Sequence, residues 1–309
     1  MRLASFRGPD GTPHAGAVVG QPGAERVVDL AEASGGRVPS GDLLNLLQAG
    51  PDALAAARSA AEAGVSRAIE SVELLAPIRR PGKLIAVAGN FQAHIEEGGG
   101  QRVDKTKIVP KLFIKPSSSI IGPGEAVVLP TVSNALDWEL ELAIVIGTAG
   151  RDIPLERARD HIAGYSVIND ISARSMQWGV EGREPAGFDG FFDWLNGKWG
   201  DGFAAWGPYI TTTDAVSPDP NDLEMTLTVN GKTWQHGSTA DMIFSPEEII
   251  AFASRFMTLE PGDVIAGGTL DGTGDAAGVY LKAGDVMSGT IGELGTLVTP
   301  VVAAPDGRG

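Results

Sequence analysis

The chain is predicted to be an α+β protein, built on a β-rich roll or sandwich with a smaller N-terminal module. Three observations predict this. From Lys83 onward, short runs rich in Val, Ile, Thr and aromatic residues recur between Gly, Pro, Asn and Asp. Few helical stretches interrupt them, and they do not alternate with the strands as a parallel α/β fold requires. Before residue 75 the pattern differs, with strand-like pieces followed by two consecutive helical ones.

The N-terminal module, residues 1–75, opens with MRLASF, HAGAVVG and RVVDLA as strands. DLLNLLQA and the Ala-rich PDALAAARSAAEAG then read as helices, separated by Gly50-Pro51, where the proline suits a first helical turn. LLAPIRRPGK reads as a linker into a main domain at 76–302. Its strands include LIAVAG, KLFIK, DWELELAIVIG, GYSVIN, GPYITT and LEMTLTVNGK, and the Asn-Gly pair at 230–231 marks a hairpin. PLERARDHIAG reads as a helix. Another starts at Ser245, with Pro246 first in the helix and Glu248 completing a capping box. Residues 179–206 mix Gly and aromatics without evident period and read as a long loop. Residues 303–309 read as a flexible tail.

Composition excludes several function classes. With 39 acidic and 24 basic residues the net charge is −15, which argues against nucleic acid or an anionic membrane as partner. The absence of cysteine removes disulfides, thiolate metal sites and Cys nucleophiles. With four histidines, a metal site would draw on carboxylates and so suit Mg, Mn or Ca. No secretory leader or membrane-spanning run is evident, so a cytoplasmic enzyme is expected.

The most informative segment is Asp137-Trp138-Glu139-Leu140-Glu141-Leu142-Ala143-Ile144-Val145. Strand alternation puts Asp137, Glu139 and Glu141 on one face, with neighbouring acids roughly 6.6 Å apart. A solvated acidic edge strand is the ordinary reading. Against it, Ala143 and Val145 continue the acidic face as an apolar one, and three like charges beside apolar residues repel unless a cation neutralises them. Asp170 closes the strand GYSVIN, either as a helix N-cap or as a further ligand. If the residues after it are helical, Arg174 and Gln177 share its face. His94 and Glu97 stand three apart, a spacing at which a carboxylate can orient an imidazole as general base, although an incidental surface pair reads the same way. Gly98, Gly99 and Gly100 follow as a hinge or a plain loop. Lys198 lies among seven aromatics, Phe188, Phe191, Phe192, Trp194, Trp199, Phe203 and Trp206, either snorkelling to solvent or stabilising an oxyanion in a pocket.

Taken in order, NF-x-x-H-x-x-E (90–97), KPSSSIIGPG (115–124), D-x-E-x-E-L-x-x-VIG (137–147), GY-x-x-x-ND-x-SAR-x-x-Q (164–177), GK-x-x-D-x-F (197–203), LEPGDVI (259–265) and GGTLDGTG (267–274) resemble the fumarylacetoacetate hydrolase (FAH) family from about Leu74 to Val301. The resemblance implies a mixed β-sandwich roll with a smaller N-terminal α/β domain, and a homodimer. It implies Mg2+ or Mn2+ (or Ca2+) on Glu139, Glu141 and Asp170, with Asp137 behind them. His94 and Glu97 would be a water-activating dyad on a lid, with Lys198 as the third catalytic residue. Phe91, Arg174, Gln177 and Thr269 would contact a small 2-oxo acid or diketone. The implied reaction is hydrolysis of a C–C bond in a 1,3-dicarbonyl or acylpyruvate-type 2-oxo acid. Alternatives are a decarboxylase or a hydratase/isomerase using the same chelated enolate, or a decayed cation-binding homologue without activity. Leu270 and Ala205 stand where the family usually has proline, and the segment from Gln177 to Lys198 is longer than in compact members.

Overall fold

Three strands, β1 (Arg2–Arg7), β2 (Pro13–Val19) and β3 (Arg26–Asp29), begin the chain in a computed structural model that describes residues 1–21, 23–216 and 219–304. Helices α1 (Leu30–Ala33), α2 (Leu43–Gln48) and α3 (Pro51–Ala63) follow, then β4 (Ser66–Ala68) and β5 (Leu74–Leu75). Next come β6 (Leu84–Ala88), helix α4 (Gln92–Glu97), β7 (Lys111–Lys115), β8 (Ile120–Ile121) and β9 (Val127–Val128). The centre of the chain holds β10 (Ala135–Asp137), β11 (Leu140–Ile146), β12 (Ile162–Asp170), β13 (Ser172–Arg174), α5 (Asp189–Asn196) and β14 (Ala204–Thr212). The hairpin β15 (Glu224–Val229) and β16 (Lys232–Ser238), helix α6 (Pro246–Ala253), β17 (Val264–Thr269), α7 (Gly274–Ala277), β18 (Val286–Ile291) and β19 (Thr296–Val302) complete it.

Local chemistry explains the punctuation. Gly50 has φ +81°, a left-handed value that favours glycine, and hands the chain to Pro51 at the start of α3. At α6 the predicted capping box forms: the Ser245 hydroxyl accepts from the Glu248 N–H at 3.3 Å, and the Glu248 carboxylate accepts from the Ser245 N–H at 2.8 Å. Asn230 and Gly231, both at positive φ, turn β15 into β16 as the Asn-Gly pair predicts. Two expectations change. Leu155–His161 is a 3-10 helix instead of an α-helix. The expected loop at 179–206 contains α5 and the start of β14. The tail, from residue 305 on, lies outside the described residues.

The strands assemble as an α+β architecture with a large mixed sheet, ordered β4-β3-β2-β1-β14-β12-β11-β17-β6-β7, and a five-stranded sheet ordered β16-β15-β18-β19-β9. Pairing of β1 with β14 makes the N-terminal strands part of the sheet that carries β11. Every residue of β11 is buried. Leu140, Leu142, Ile144 and Ile146 pack with Leu227, Met287 and Leu297 of the five-stranded sheet. Ala143 and Val145 pack in the opposite layer with Leu46 of α2 and Ala57 of α3. Each large aliphatic side chain buried in this way contributes roughly 1.5–3 kcal/mol. A strand covered on both faces is no solvated edge, so its acids must be accommodated inside the protein. Among the described residues no helix is long and apolar enough to cross a membrane.

Candidate functional site

Glu139, the residue just before β11, and Glu141, the second residue of β11, turn their carboxylates to one spot, while the register pairs Leu140 with Asn169 and so brings Asp170 alongside. The Asp170 N–H donates to the Glu139 carbonyl at 2.8 Å. Between β10 and β11 the ladder is broken, and side chains replace it. Asn169 Oδ1 accepts from the Glu139 N–H and Gln235 Oε1 from the Leu140 N–H, each at 2.9 Å. Trp138 turns the other way and donates its indole N–H to the Gly272 carbonyl at 3.1 Å. One oxygen from each of Glu139, Glu141 and Asp170 falls within 4.8 Å of the others, and all three residues are buried.

Three cations answer these charges. Lys198 Nζ donates to Glu139 Oε2 at 2.6 Å and to Asp170 Oδ2 at 2.8 Å. Lys115 Nζ reaches Asp170 Oδ1 at 2.5 Å. Arg174 donates to Asp137 Oδ2 at 3.0 and 3.1 Å and also to Glu139. Burial alone would raise the Glu139 carboxyl, but Lys198 and Arg174 outweigh it and hold it well below the usual carboxylate range. Burial likewise disfavours the Lys198 ammonium, and Asp170 and Glu139 more than compensate. Lys115 is pushed down, by burial and then by the Lys198 charge, with Asp170 opposing. Glu141 is the outlier. Burial, Asp170 and Glu139 all drive its carboxyl well above the normal value, and its Oε2 accepts one N–H, from Gly268 at 2.8 Å. Three convergent hard oxygens, one of them too crowded by negative charge to ionise easily, are the donor chemistry that a Mg2+ or Mn2+ ion satisfies.

Helix α4 carries the dyad. The Nδ1–H of His94 donates to Glu97 Oε1 at 2.8 Å, which leaves Nε2 as the basic nitrogen of the neutral ring. Glu97 also accepts from the Gly272 N–H at 2.7 Å and the Thr273 hydroxyl at 3.0 Å. Burial raises the Glu97 carboxyl, but His94, Gly272 and Thr273 together bring it below its ordinary value, so it acts as the acceptor. His94, the three clustered carboxylates, Arg174 and Lys198 all line one cavity of ≈ 80 Å³. Phe113 and Trp194 form its aromatic side, with the Lys198 ammonium 5.6 and 5.7 Å from their ring centroids. Lys198 is therefore a buried residue of the site and does not snorkel.

Several expectations need correction. Residues 172–174 form a strand, because Ala173 bonds to Gly197 and β13 pairs with β10. Asp170 therefore caps no helix. Arg174 reaches Asp137 by a cross-strand diagonal, since Asp137 lies opposite Ser172. Asp137 stays outside the three-oxygen cluster and holds Arg174, while its Oδ1 accepts the Gly274 N–H at 2.6 Å. Ser175, at φ +49°, turns the chain away, and Gln177 ends exposed and outside the cavity. Phe91 is buried in the main core and does not line the cavity either. Thr269 does line it, but its hydroxyl donates to the Leu140 carbonyl and accepts from Gln235 Nε2, each at 2.9 Å.

Lys115, Gln235, Asn90 and Phe113 escape the sequence reading as site residues, whereas Trp194 is one of the seven aromatics noted around Lys198. For Lys115 a sequence signal exists, since it opens the KPSSSIIGPG motif of the family resemblance, and the structure buries it. Asn90 ties α4 to the rest of the site: its amide donates to the Phe244 and Gly267 carbonyls at 3.0 and 2.7 Å.

Residues 83–302 match the family described as Fumarylacetoacetate (FAA) hydrolase C-terminal. The chain is 39% identical over 308 residues to a Xenopus laevis protein named oxaloacetate tautomerase fahd2, mitochondrial, with 98% of this chain and 90% of that one covered. It is 39% identical over 306 residues to the human oxaloacetate tautomerase FAHD2A, mitochondrial, covering 98% and 92%. Among solved structures, the maleylpyruvate hydrolase of Sphingobium sp. SYK-6 in complex with manganese(II) and pyruvate is similar at 31% identity and a TM-score of 0.77, covering 98% of this chain and all of that one.

Proposed function

This chain belongs to the fumarylacetoacetate hydrolase family, and from that premise we propose that it catalyses metal-dependent enolisation of a small 2-oxo acid such as oxaloacetate. One observation carries the reading: the imidazole of an oriented His–Glu pair opens onto the same small cavity as three convergent carboxylates and a buried lysine. Glu139, Glu141 and Asp170 would hold a Mg2+ or Mn2+ ion, which when bound supplies Lewis-acid polarisation of the 2-oxo group. Two of the relatives aligned over 98% of the chain are named oxaloacetate tautomerases, and the manganese complex of a similar solved structure contains pyruvate.

The residues divide the work by charge. His94 Nε2 removes a proton from C3 of the substrate, and the C–H electron pair passes through C2 to the carbonyl oxygen. Lys198 stabilises the enolate with its ammonium, which its carboxylate partners keep charged. Glu97 holds the imidazolium that results. Protonation of the enolate oxygen yields the enol, and the reverse sequence returns the ketone. No water or second reactant is needed, which suits the cavity's size.

The assay follows enol absorbance of oxaloacetate in Mg2+ or Mn2+. Wild-type protein is expected to accelerate the interconversion, and Glu139→Gln to abolish that acceleration while remaining folded. Full activity in Glu139→Gln sinks the ligand assignment. C–C hydrolysis is the second reading, favoured by the partial exposure of His94, which gives water a route to the base. Release of pyruvate from acylpyruvates would establish it. A panel flat for both reactions would favour a cation-binding homologue without activity.

A further inference from the structure

The apolar stripe of α5 faces the wrong way for a core helix. Phe188, Phe191, Phe192 and Leu195 fall at i, i+3, i+4 and i+7, the spacing by which a surface helix normally buries one side. Here Phe188, Phe191 and Phe192 are 79%, 54% and 53% exposed, and no residue of the helix is fully buried. Polar tethers help to hold the helix. Asp193 accepts the Trp178 indole N–H at 2.8 Å and a paired contact from Arg183 at 2.7 and 3.0 Å. An outward aromatic stripe fixed by polar anchors is arranged to receive an apolar group.

The stripe is continuous with the site. Trp194 lines the cavity beside Lys198 and packs edge-on against Phe113, with centroids 5.0 Å apart. From Trp194 the next ring outward is Phe191, at 5.9 Å, and then Phe192, at 5.6 Å from Phe191. The rings thus lead from the carboxylate cluster to the surface. We infer that Trp194, Phe191 and Phe192 form a tail-binding track, and that the protein takes 2-oxo acids bearing an apolar chain as well as short ones. The 2-oxo carboxylate head occupies the cavity, and the chain leaves over the track. This rests on the head-group site proposed above and adds the substrate class.

Calorimetry with straight-chain 2-oxo acids from pyruvate to 2-oxooctanoate, in excess Mg2+, tests it. For wild-type protein each added methylene is expected to tighten binding about two- to fourfold, as burial of one CH2 predicts. In the double variant Phe191→Ser, Phe192→Ser that dependence flattens, while pyruvate affinity stays unchanged and serves as the fold control. A flat wild-type series overturns the track. So does a slope that survives the double substitution. Sedimentation of both proteins covers the other occupant: loss of a dimer with the slope retained would make the stripe an interface between copies of this chain. Failure of even pyruvate to bind wild-type protein would remove the head-group site itself, and the track with it.

Discussion

The Lys198 ammonium lies 2.6 Å from Glu139 Oε2, although 59 residues separate the two in the chain. The same ammonium contacts Asp170, so one buried lysine serves two of the three convergent carboxylates. Removing one partner of a buried ion pair is strongly destabilising, on the order of 3–5 kcal/mol. Lys198→Met is therefore expected to lose stability of that order in EDTA and to regain much of it in excess Mg2+. Urea unfolding under both conditions checks it, and equal losses with and without the ion would count against a shared cation site.

Glu141 should behave in the opposite way. Its carboxyl is raised by burial and by the Asp170 and Glu139 charges, so ionising it in the metal-free protein is costly. Glu141→Gln is expected to leave metal-free stability unchanged or improved, while Mg2+ or Mn2+ affinity falls by at least about 100-fold. Thermal unfolding in EDTA and calorimetric titration with the ion measure the two halves separately.

His94→Gln is expected to lower kcat for enolisation by about 10²–10⁴, the usual contribution of a positioned base, with metal affinity intact. Decarboxylation of oxaloacetate requires no proton abstraction from C3 and no attacking water. A variant that loses enolisation but keeps decarboxylation would identify His94 as the base, and loss of both would assign it a broader role.

Gly272 supplies the N–H that anchors Glu97, at φ +88°, and a Cβ there would stand 1.9 Å from the Trp234 carbonyl oxygen. Gly272→Ala is expected to cost about 1–3 kcal/mol through overpacking and strain. It should also lower kcat more than it raises KM, because the turn orients the dyad without lining the cavity. Comparing urea midpoints with steady-state constants tests the pair of effects.

A pH dependence comes from His14, far from the carboxylates in sequence. Its Nδ1 lies 2.5 Å from Asp29 Oδ2 and its Nε2 3.2 Å from Asp10 Oδ1. Burial lowers its pKa, but Asp29 and Asp10 outweigh that and raise it above 6.5. A raised pKa means stability that is full below 6.5 and lost as pH rises through the folded value. Stability of wild-type protein minus that of His14→Gln should therefore shrink from mildly acidic to alkaline pH. A constant difference would show that the imidazolium contributes nothing.

The sequence by itself determined what is local or periodic. A spacing of two brings Glu139 and Glu141 together, a spacing of three joins His94 to Glu97, and Ser245 with Glu248 and Asn230 with Gly231 write a cap and a turn into neighbouring residues. The helix at 189–196 is not among them, because the glycines interspersed with its aromatics make the segment read as a loop. Tertiary structure decided which faces meet. Helical spacing would group Arg174 with Gln177, but pairing of β13 with β10 sends Arg174 to Asp137 and lets Gln177 turn out to solvent. It also buries Lys115 against Asp170 and turns the stripe of α5 outward. The physical reason is range. A residue's face follows from its neighbours' backbone geometry, whereas its partner follows from strand register and packing between segments tens of residues apart.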